Sequence, residues 1–362
     1  MRERRKGGIT MTRKLTVGYF GNGKSTNRYH IPLLMRRRDK VCVKTIYARH
    51  LRDDWARWDG VYYTENAEEL LSDPEIDVVV ITTPAQAHYS IAKQVLEAGK
   101  NVVLEKPFTH SVKEAQELFD LARDKGVLIQ CYQNRRFDSD FLTVQKVIAS
   151  KKLGPLCEVE MHYDYYRPEV PEGVDHYKKD ESYVYNHACH TVDQVISYFG
   201  TPDERRFDVR QLLGSGRMND YFDLDFYYFK NTDAFEVTPG GLKVSVKSSY
   251  FRVKERPSFV VYGQRGMFVK AEKDKQEADL KKFYFPDHAD FGLDGPENFG
   301  TLTYYDEEGH YHEEAVETVP GDNGRYYDYL YETIINGAVP LVSEEQTMAQ
   351  MRLLEEATSH LN

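Results

Sequence analysis

Cysteine is scarce in this chain: four residues in 362, Cys42, Cys131, Cys157 and Cys189, widely spaced and with no CxxC pair. That scarcity excludes a disulfide-built scaffold and fits a reducing compartment, so a cytoplasmic protein is expected. Cys42 and Cys131 fall in apolar strand patterns, where thiols are expected to act as small core groups. Long apolar runs are missing as well. The longest, such as Val78-Val79-Val80-Ile81, have the length of strands, far below the ~20 residues of a membrane helix, so no membrane span is expected. An excess of positive charge is also lacking: 48 Lys and Arg stand against 58 Asp and Glu, a formal net charge of −10, and such a surface repels nucleic acid. The basic start from Met1 to Lys6 has no apolar segment behind it, and Met11 directly precedes the first strand pattern. Residues 1–12 are therefore expected to be a disordered leader. Neither internal repeats nor low-complexity tracts occur.

What is present is a globular balance, 41% hydrophobic and 29% charged, on a chain long enough for two domains. Residues 13–132 alternate short apolar runs with helical patterns, the signature of a parallel sheet with crossover helices. Strands are predicted at Leu15 to Phe20, Val41 to Tyr47, Asp77 to Thr82, Asn101 to Leu104 and Val127 to Tyr132. A helix from His88 to Ala98 stops at Gly99. Another begins with the capping box Ser111 and Glu114 and stops at Gly126. Five strands with intervening helices make an α/β, doubly wound Rossmann domain. Over residues 133–362 the texture changes. After a connecting helix, Phe141 to Ser150, alternating segments follow at Cys157 to Tyr166, Arg206 to Leu213, Tyr221 to Phe229, Leu242 to Phe251, Ser258 to Tyr262 and Gly266 to Lys270. They predict an α+β domain with an open-faced, mostly antiparallel sheet. The polar stretch from Glu272 to Gly300 reads as an excursion loop, and Gly324 to Gly337 and Glu344 to His360 as terminal helices that could pack back on the first domain.

The first strand runs into Gly21-Asn22-Gly23-Lys24-Ser25-Thr26. A dinucleotide needs a tight turn, close backbone approach to its pyrophosphate and helix N–H groups aimed at it. Gly21 and Gly23 meet the first two needs, while Thr26 replaces the third glycine of G-x-G-x-x-G. A glycine-rich turn after a strand is often only a turn. Its place after the first strand of a βαβ pattern favours NAD(P) binding, with Gly21, Gly23, Lys24, Ser25 and Thr26 as contacts. No acid that could hold the ribose 2′-hydroxyl of NAD follows the second strand until Asp53. Arg49 could instead face the 2′-phosphate of NADP, or be a solvated surface arginine; NADP is the favoured reading.

The run Thr83-Pro84-Ala85-Gln86-Ala87-His88 is similar to the TPxxxH segment of the glucose-fructose oxidoreductase / inositol dehydrogenase / MocA family. Ala98-Gly99-Lys100-Asn101-Val102-Val103-Leu104-Glu105-Lys106-Pro107 resembles its AGKHVLxEKP segment. His30-Ile31-Pro32, Gln133-Asn134-Arg135-Arg136-Phe137 and Val342-Ser343-Glu344-Glu345 match as well. The motifs cover the N-terminal domain densely and the C-terminal one sparsely.

The resemblance implies substrate bound between the two domains and hydride exchange between NAD(P) and a sugar, cyclitol or polyol. It implies acid–base work by Lys106, a cis Lys106–Pro107 bond, and cofactor contacts from Thr83, Pro84, His88, Glu105, Lys106 and Asn134. Removing a hydroxyl proton as hydride leaves requires a base at that oxygen, and a lysine serves if burial and neighbouring positive charge lower its pKa. Asn186-His187-Ala188-Cys189-His190-Thr191-Val192-Asp193 resembles the family's D-x-x-x-H-x-x-D helix, which makes His190 the catalytic histidine. The chain departs from the pattern at Asn186, where polyol dehydrogenases carry Asp, and this puts the usual acid–base pairing in doubt. Asp193 could orient His190, and Asn186, Asp193 and Arg135 or Arg136 would place substrate. The competing reading makes His190 a structural histidine. His187, Cys189, His190 and Asp193 supply too few ligands on one face for a metal, so none is expected.

Tyr163, Tyr165 and Arg167 alternate along one strand and suit sugar stacking, an ordinary sheet face or a dimer interface; Tyr183 and Tyr185 are lesser candidates. The open sheet face is expected to pair copies into a homodimer or homotetramer. Two other readings keep the cofactor: glycoside cleavage with recycled NAD, and a non-catalytic dinucleotide sensor.

Overall fold

The computed structural model describes residues 13–169 and 176–361, so the expected leader at residues 1–12 lies outside the described part. Six parallel strands build the first sheet: β1 (Leu15–Phe20), β2 (Val41–Tyr47), β3 (Tyr62–Thr64), β4 (Val78–Ile81), β5 (Asn101–Leu104) and β6 (Ile129–Cys131). Their order, β3-β2-β1-β4-β5-β6, is that of a doubly wound dinucleotide fold, whose ligands lie beyond the strands' carboxyl ends. All four residues of β4 are buried, as a strand with a neighbour on each edge and cover on both faces requires. The sequence predicts five strands. The sixth, β3, has three residues and is too short to show any period, yet it pairs with Thr45–Tyr47 on the edge of β2. Cys42 lies before that pairing begins and is exposed, so it is no core group, whereas Cys131 is buried.

Helices α1 (Ala67–Leu71), α2 (His88–Glu97) and α3 (Val112–Lys125) accompany this sheet. The first crossover is less regular: a π-helical stretch Ser25–His30 leads into a 3-10 stretch Ile31–Arg37. At α3 the Ser111 hydroxyl accepts the Glu114 N–H. The Glu114 carboxylate reaches back to the His110 N–H, one residue earlier than a capping box requires. Gly126 closes the helix in the left-handed region, φ 67°.

Helix α4 (Ser139–Ala149) leads to an eight-stranded sheet. Its strands are β7 (Leu156–His162), β8 (Glu204–Arg210), β9 (Tyr221–Tyr228), β10 (Leu242–Ser249), β11 (Phe259–Gly263), β12 (Gly266–Lys270), β13 (Gly300–Tyr305) and β14 (Tyr311–Val316). Pairing is antiparallel except between β7 and β10. One face, with Val159, Phe222, Leu224, Val244, Val261 and Phe268, is buried against α4 and α5 (Cys189–Phe199). The other, open face is charged rather than apolar. It carries cross-strand ion pairs, Lys243 to Glu158 at 2.6 Å and Lys247 to Glu160 at 3.1 Å, so opposite charges satisfy one another along it.

The stretch Glu272 to Gly300, expected as a loop, contains α6 (Gln276–Lys281). Finally α7 (Arg325–Asn336) and α8 (Glu344–Ala357) return to the first domain, where α7 touches β1 and α8 touches β6 and α3. No helix among the described residues is long and apolar enough to cross a membrane.

Candidate active site

The turn after β1 has a built geometry. Gly21 adopts φ +131°, and a Cβ there would lie 2.6 Å from Thr82 Oγ1 and 3.2 Å from the Thr82 carbonyl carbon. Thr82 follows β4, so only glycine lets the turn pass this close to the neighbouring strand end. A Cβ at Gly23 would meet nothing within 4 Å, which leaves that side of the turn open to an approaching ligand. The first N–H groups of the following helical turn have no intrahelical acceptor and are the donors a pyrophosphate needs. Thr26, in the third glycine's position, is fully buried; its hydroxyl donates to the Gly21 carbonyl at 2.7 Å and meets Thr82 Oγ1 at 2.7 Å. It pins the turn from within and is not placed to touch a ligand.

These two glycines are expected to separate. Gly21→Ala should lower folding stability by roughly 1–3 kcal/mol, the usual cost of one strained residue. Gly23→Ala should leave thermal unfolding unchanged while weakening dinucleotide affinity about tenfold or more. Calorimetric titration and a melting curve on each variant check this. A Gly23→Ala protein that binds NADP+ as tightly as wild type would count against the turn as the pyrophosphate site.

Beyond the end of β5 lies Glu105-Lys106-Pro107, and the Lys106–Pro107 bond is cis. Burial alone would raise the Glu105 carboxyl, but His30 at 3.0 Å, the Lys106 charge and the Ser25 hydroxyl hold it below the usual carboxylate range. Its other oxygen accepts the Lys106 N–H at 3.0 Å. Glu105 thus joins the glycine turn, the first crossover and the lysine.

One cavity of about 90 Å³ gathers Lys106 and Glu105 from the first domain with Asn134, Arg135 and His190. His190 lies in the first turn of α5. Burial, then the positive charges of Lys106 and Arg135, push its imidazole well below the usual histidine range. His187, one turn earlier, is pushed down to about 3 by burial and then by Lys106, Arg167 and Arg135. An uncharged imidazole and a lysine ammonium therefore face one space, with the Arg135 guanidinium beside them.

Other expected ligand contacts lie elsewhere. Asp193 does not orient His190, whose Nδ1 is buried without a hydrogen-bond partner. Instead Asp193 takes two bonds from Arg136, at 2.8 and 2.7 Å, and both residues are buried. Arg136 also donates to the Leu341 carbonyl at 2.6 Å and to Gln346 at 3.2 Å. The pair clamps α5 to the start of α8, so neither residue is free for substrate. His88 is buried, and its ring nitrogens meet the Pro107 and Thr83 carbonyls at 2.8 and 3.0 Å, leaving none for cofactor. Tyr163 stacks under Arg135 and Lys273 and reaches Glu277 at 3.3 Å. Tyr165 meets His187 Nδ1 at 3.4 Å and Arg167 covers its ring, so both tyrosines support the histidine side of the site. Asn186 stands in a π-helical turn, Val184–Ala188, ahead of α5, and is not among the residues lining the cavity. Arg49 is exposed just past β2, Lys24 is exposed in the glycine turn, and Thr83 and Pro84 follow β4 at the same sheet edge.

The sequence reading omits Glu277. Helix α6 carries it to the cavity wall, where it pairs with Arg135 and with Lys281 at 2.7 Å. The available signal was the spacing of Asp274 and Glu277, an acid three residues ahead of a glutamate. Tyr29, Tyr132 and Asn323, also lining residues, carry no motif. A larger cavity, about 670 Å³, lies between the 3-10 stretch, Val41 to Val43 and the loop bearing Trp55 and Trp58. Because it adjoins the amino end of β2 rather than the carboxyl edge of the sheet, it is not where a doubly wound fold places its ligand.

Comparison with known proteins agrees with this fold. Residues 15–133 match the model of an oxidoreductase family described as having an NAD-binding Rossmann fold, and residues 145–360 match that family's C-terminal alpha/beta domain. The oxidoreductase YhhX of Escherichia coli is 40% identical over 343 residues, covering 94% of this chain and 95% of its own. The scyllo-inositol 2-dehydrogenase (NADP(+)) IolW of Bacillus subtilis is 30% identical over 350 residues, covering 95% and 92%. A solved oxidoreductase structure from Bacillus cereus superposes with a TM-score of 0.87 at 40% identity, over 96% of each chain.

Proposed function

The chain belongs to the oxidoreductase family named for glucose-fructose oxidoreductase, inositol dehydrogenase and MocA, and from that membership we propose that it exchanges a hydride between NADP(H) and a hydroxyl-bearing carbon of a sugar, cyclitol or polyol. The observation that carries this reading is the convergence of Lys106 and His190, from different domains, on one cavity beyond the sheet's carboxyl edge. The glycine turn and Ser25 would hold the pyrophosphate, Arg49 the 2′-phosphate, and Thr83 and Pro84 the neighbouring wall. The cofactor, when bound, supplies the hydride acceptor or donor.

The protein's own share is the proton. In the oxidation direction the Lys106 ammonium fixes the substrate oxygen and stabilises the charge that develops on it. His190, kept uncharged by burial and by the cations around it, accepts the hydroxyl proton. Arg135, braced by Glu277, Asp138 and Tyr163, offers the remaining donors for hydroxyl recognition. The NADP-dependent scyllo-inositol dehydrogenase among the relatives supports both the cofactor preference and the substrate class.

The test is calorimetric titration with NADP+ and NAD+, followed by a sugar and polyol panel read at the reduced-nicotinamide absorbance. Tighter binding of NADP+ and multiple-turnover signal with a polyol are expected. Failure of both dinucleotides to bind, or a panel without net signal, would sink the reading. We further assign a homodimer or homotetramer assembled through the open sheet face. Because that face is charged, sedimentation should show the assembly weakening at high salt, and a monomer at every salt concentration removes it.

A further inference from the structure

A chain of four buried side chains runs away from the cavity beneath Lys106. Tyr19 and Tyr327 meet hydroxyl to hydroxyl at 2.7 Å; Tyr327 reaches His30 Nδ1 at 2.7 Å; His30 Nε2 reaches Glu105 at 3.0 Å. Tyr19, His30 and Tyr327 have no exposed surface. The His30 ring is further held by stacking on Tyr132 at 4.0 Å between centroids. Glu105 is the one member that lines the cavity.

The order of donors can be settled by counting hydrogens. If Tyr19 donates to Tyr327, Tyr327 to His30 Nδ1, and His30 Nε2–H to Glu105, every hydrogen has an acceptor and the carboxylate receives one. Run the other way, the Tyr19 hydroxyl hydrogen would be stranded in the interior, a cost buried polar groups rarely bear. Tyr327 therefore fixes which nitrogen of His30 carries hydrogen, and His30 fixes Glu105.

From this we infer that His30 and Tyr327 are positioning residues that present the Glu105 carboxylate to the cofactor ring and so favour the oxidised, cationic form of the dinucleotide over the reduced one. The inference rests on the functional reading above, in which the nicotinamide lies at the cavity Glu105 lines. It assigns a site role to α7, an element of the second domain none of whose residues lines the cavity. Without the Tyr327 hydroxyl, Nδ1 is left in the interior without its donor, and the ring that donates to Glu105 loses its second anchor.

The experiment measures dissociation constants for NADP+ and NADPH on the full chain by calorimetry, with melting curves alongside. Tyr327→Phe should shift the ratio of the two constants about tenfold towards NADPH, the scale expected for misplacing one charge at a few ångströms. His30→Ala should do the same, and His30→Gln, whose amide can still donate to Glu105, should stay within about threefold of wild type. A merely structural role would lower the melting temperature of all three and leave the ratio alone, which overturns the inference. If His30→Ala fails to fold, Tyr327→Phe decides alone. A wild-type protein that binds neither form overturns the functional reading and this inference together, whereas a discriminating wild type matched by Tyr327→Phe overturns the inference only.

Discussion

Replacing Lys106 by methionine is expected to cut turnover about a thousandfold, the upper end of the ~10²–10³ range for removing one group that stabilises a developing oxyanion, while NADP+ affinity stays within about threefold of wild type. The two effects separate because Lys106 has two attachments. Its backbone N–H bonds Glu105 at 3.0 Å and survives the change, so the turn that shapes the dinucleotide groove stays in place. Its ammonium faces the cavity and is lost. Methionine keeps an unbranched stem of similar length, so the cavity wall is filled while the charge is removed. His190 remains, but its imidazole would then face a substrate oxygen with Arg135 as the one cation left in the cavity. Steady-state rates on the best polyol, set beside calorimetric constants, check both halves. Turnover within tenfold of wild type would remove Lys106 from the chemistry. A collapse of both turnover and NADP+ binding would instead recast it as a cofactor ligand.

The second large effect concerns stability. Asp193→Ala is expected to cost about 3–5 kcal/mol, because it leaves the Arg136 guanidinium charged, buried and short of two bonds. At roughly 2–4 °C per kcal/mol this lowers the melting temperature by about 10 °C. The double change Arg136→Met with Asp193→Leu should recover much of the loss, since replacing a whole buried pair by apolar groups is often neutral. A substrate-binding Asp193 would behave differently, raising KM with little change in melting. Melting curves on the single and double variants decide between a clamp and a binding group.

These two cases mark what the chain discloses along its length and what it hides. The lysine is legible because a strand, a short acidic-basic elbow and a proline are contiguous, and the glycine turn announces itself in the same way. The reading of Arg136 and Asp193 as substrate ligands fails for a physical reason. A buried ion pair across 57 positions has no local period, and either residue alone looks like a polar group free for use. His88 and Thr26 mislead similarly, since both carry ligand-capable atoms that the fold spends on backbone carbonyls and a threonine. Strand β3 is too short for alternation to register, and α6 hides in a polar stretch where Asp274, which accepts the Gln276 N–H just ahead of the helix, was the available clue. The charge of the open sheet face was present in the outward positions of segments such as Cys157-Glu158-Val159-Glu160. Solvent-facing polarity was there to be read; which charges meet across strands was not.

The return of α7 and α8 to the first domain bears on how the chain is made. Tyr326 bonds the Cys131 carbonyl at 3.0 Å, and Arg37 pairs with Asp322 and Asp328 at 2.6 and 2.9 Å. The wall that covers β1 and β6 is thus built from residues that follow the whole second sheet in the chain. Folding in the order of synthesis, the usual course for a multidomain protein, cannot finish the nucleotide domain first. Until α7 and α8 are made, that flank of the first sheet stays uncovered, so the nucleotide domain and the second domain complete their folding together.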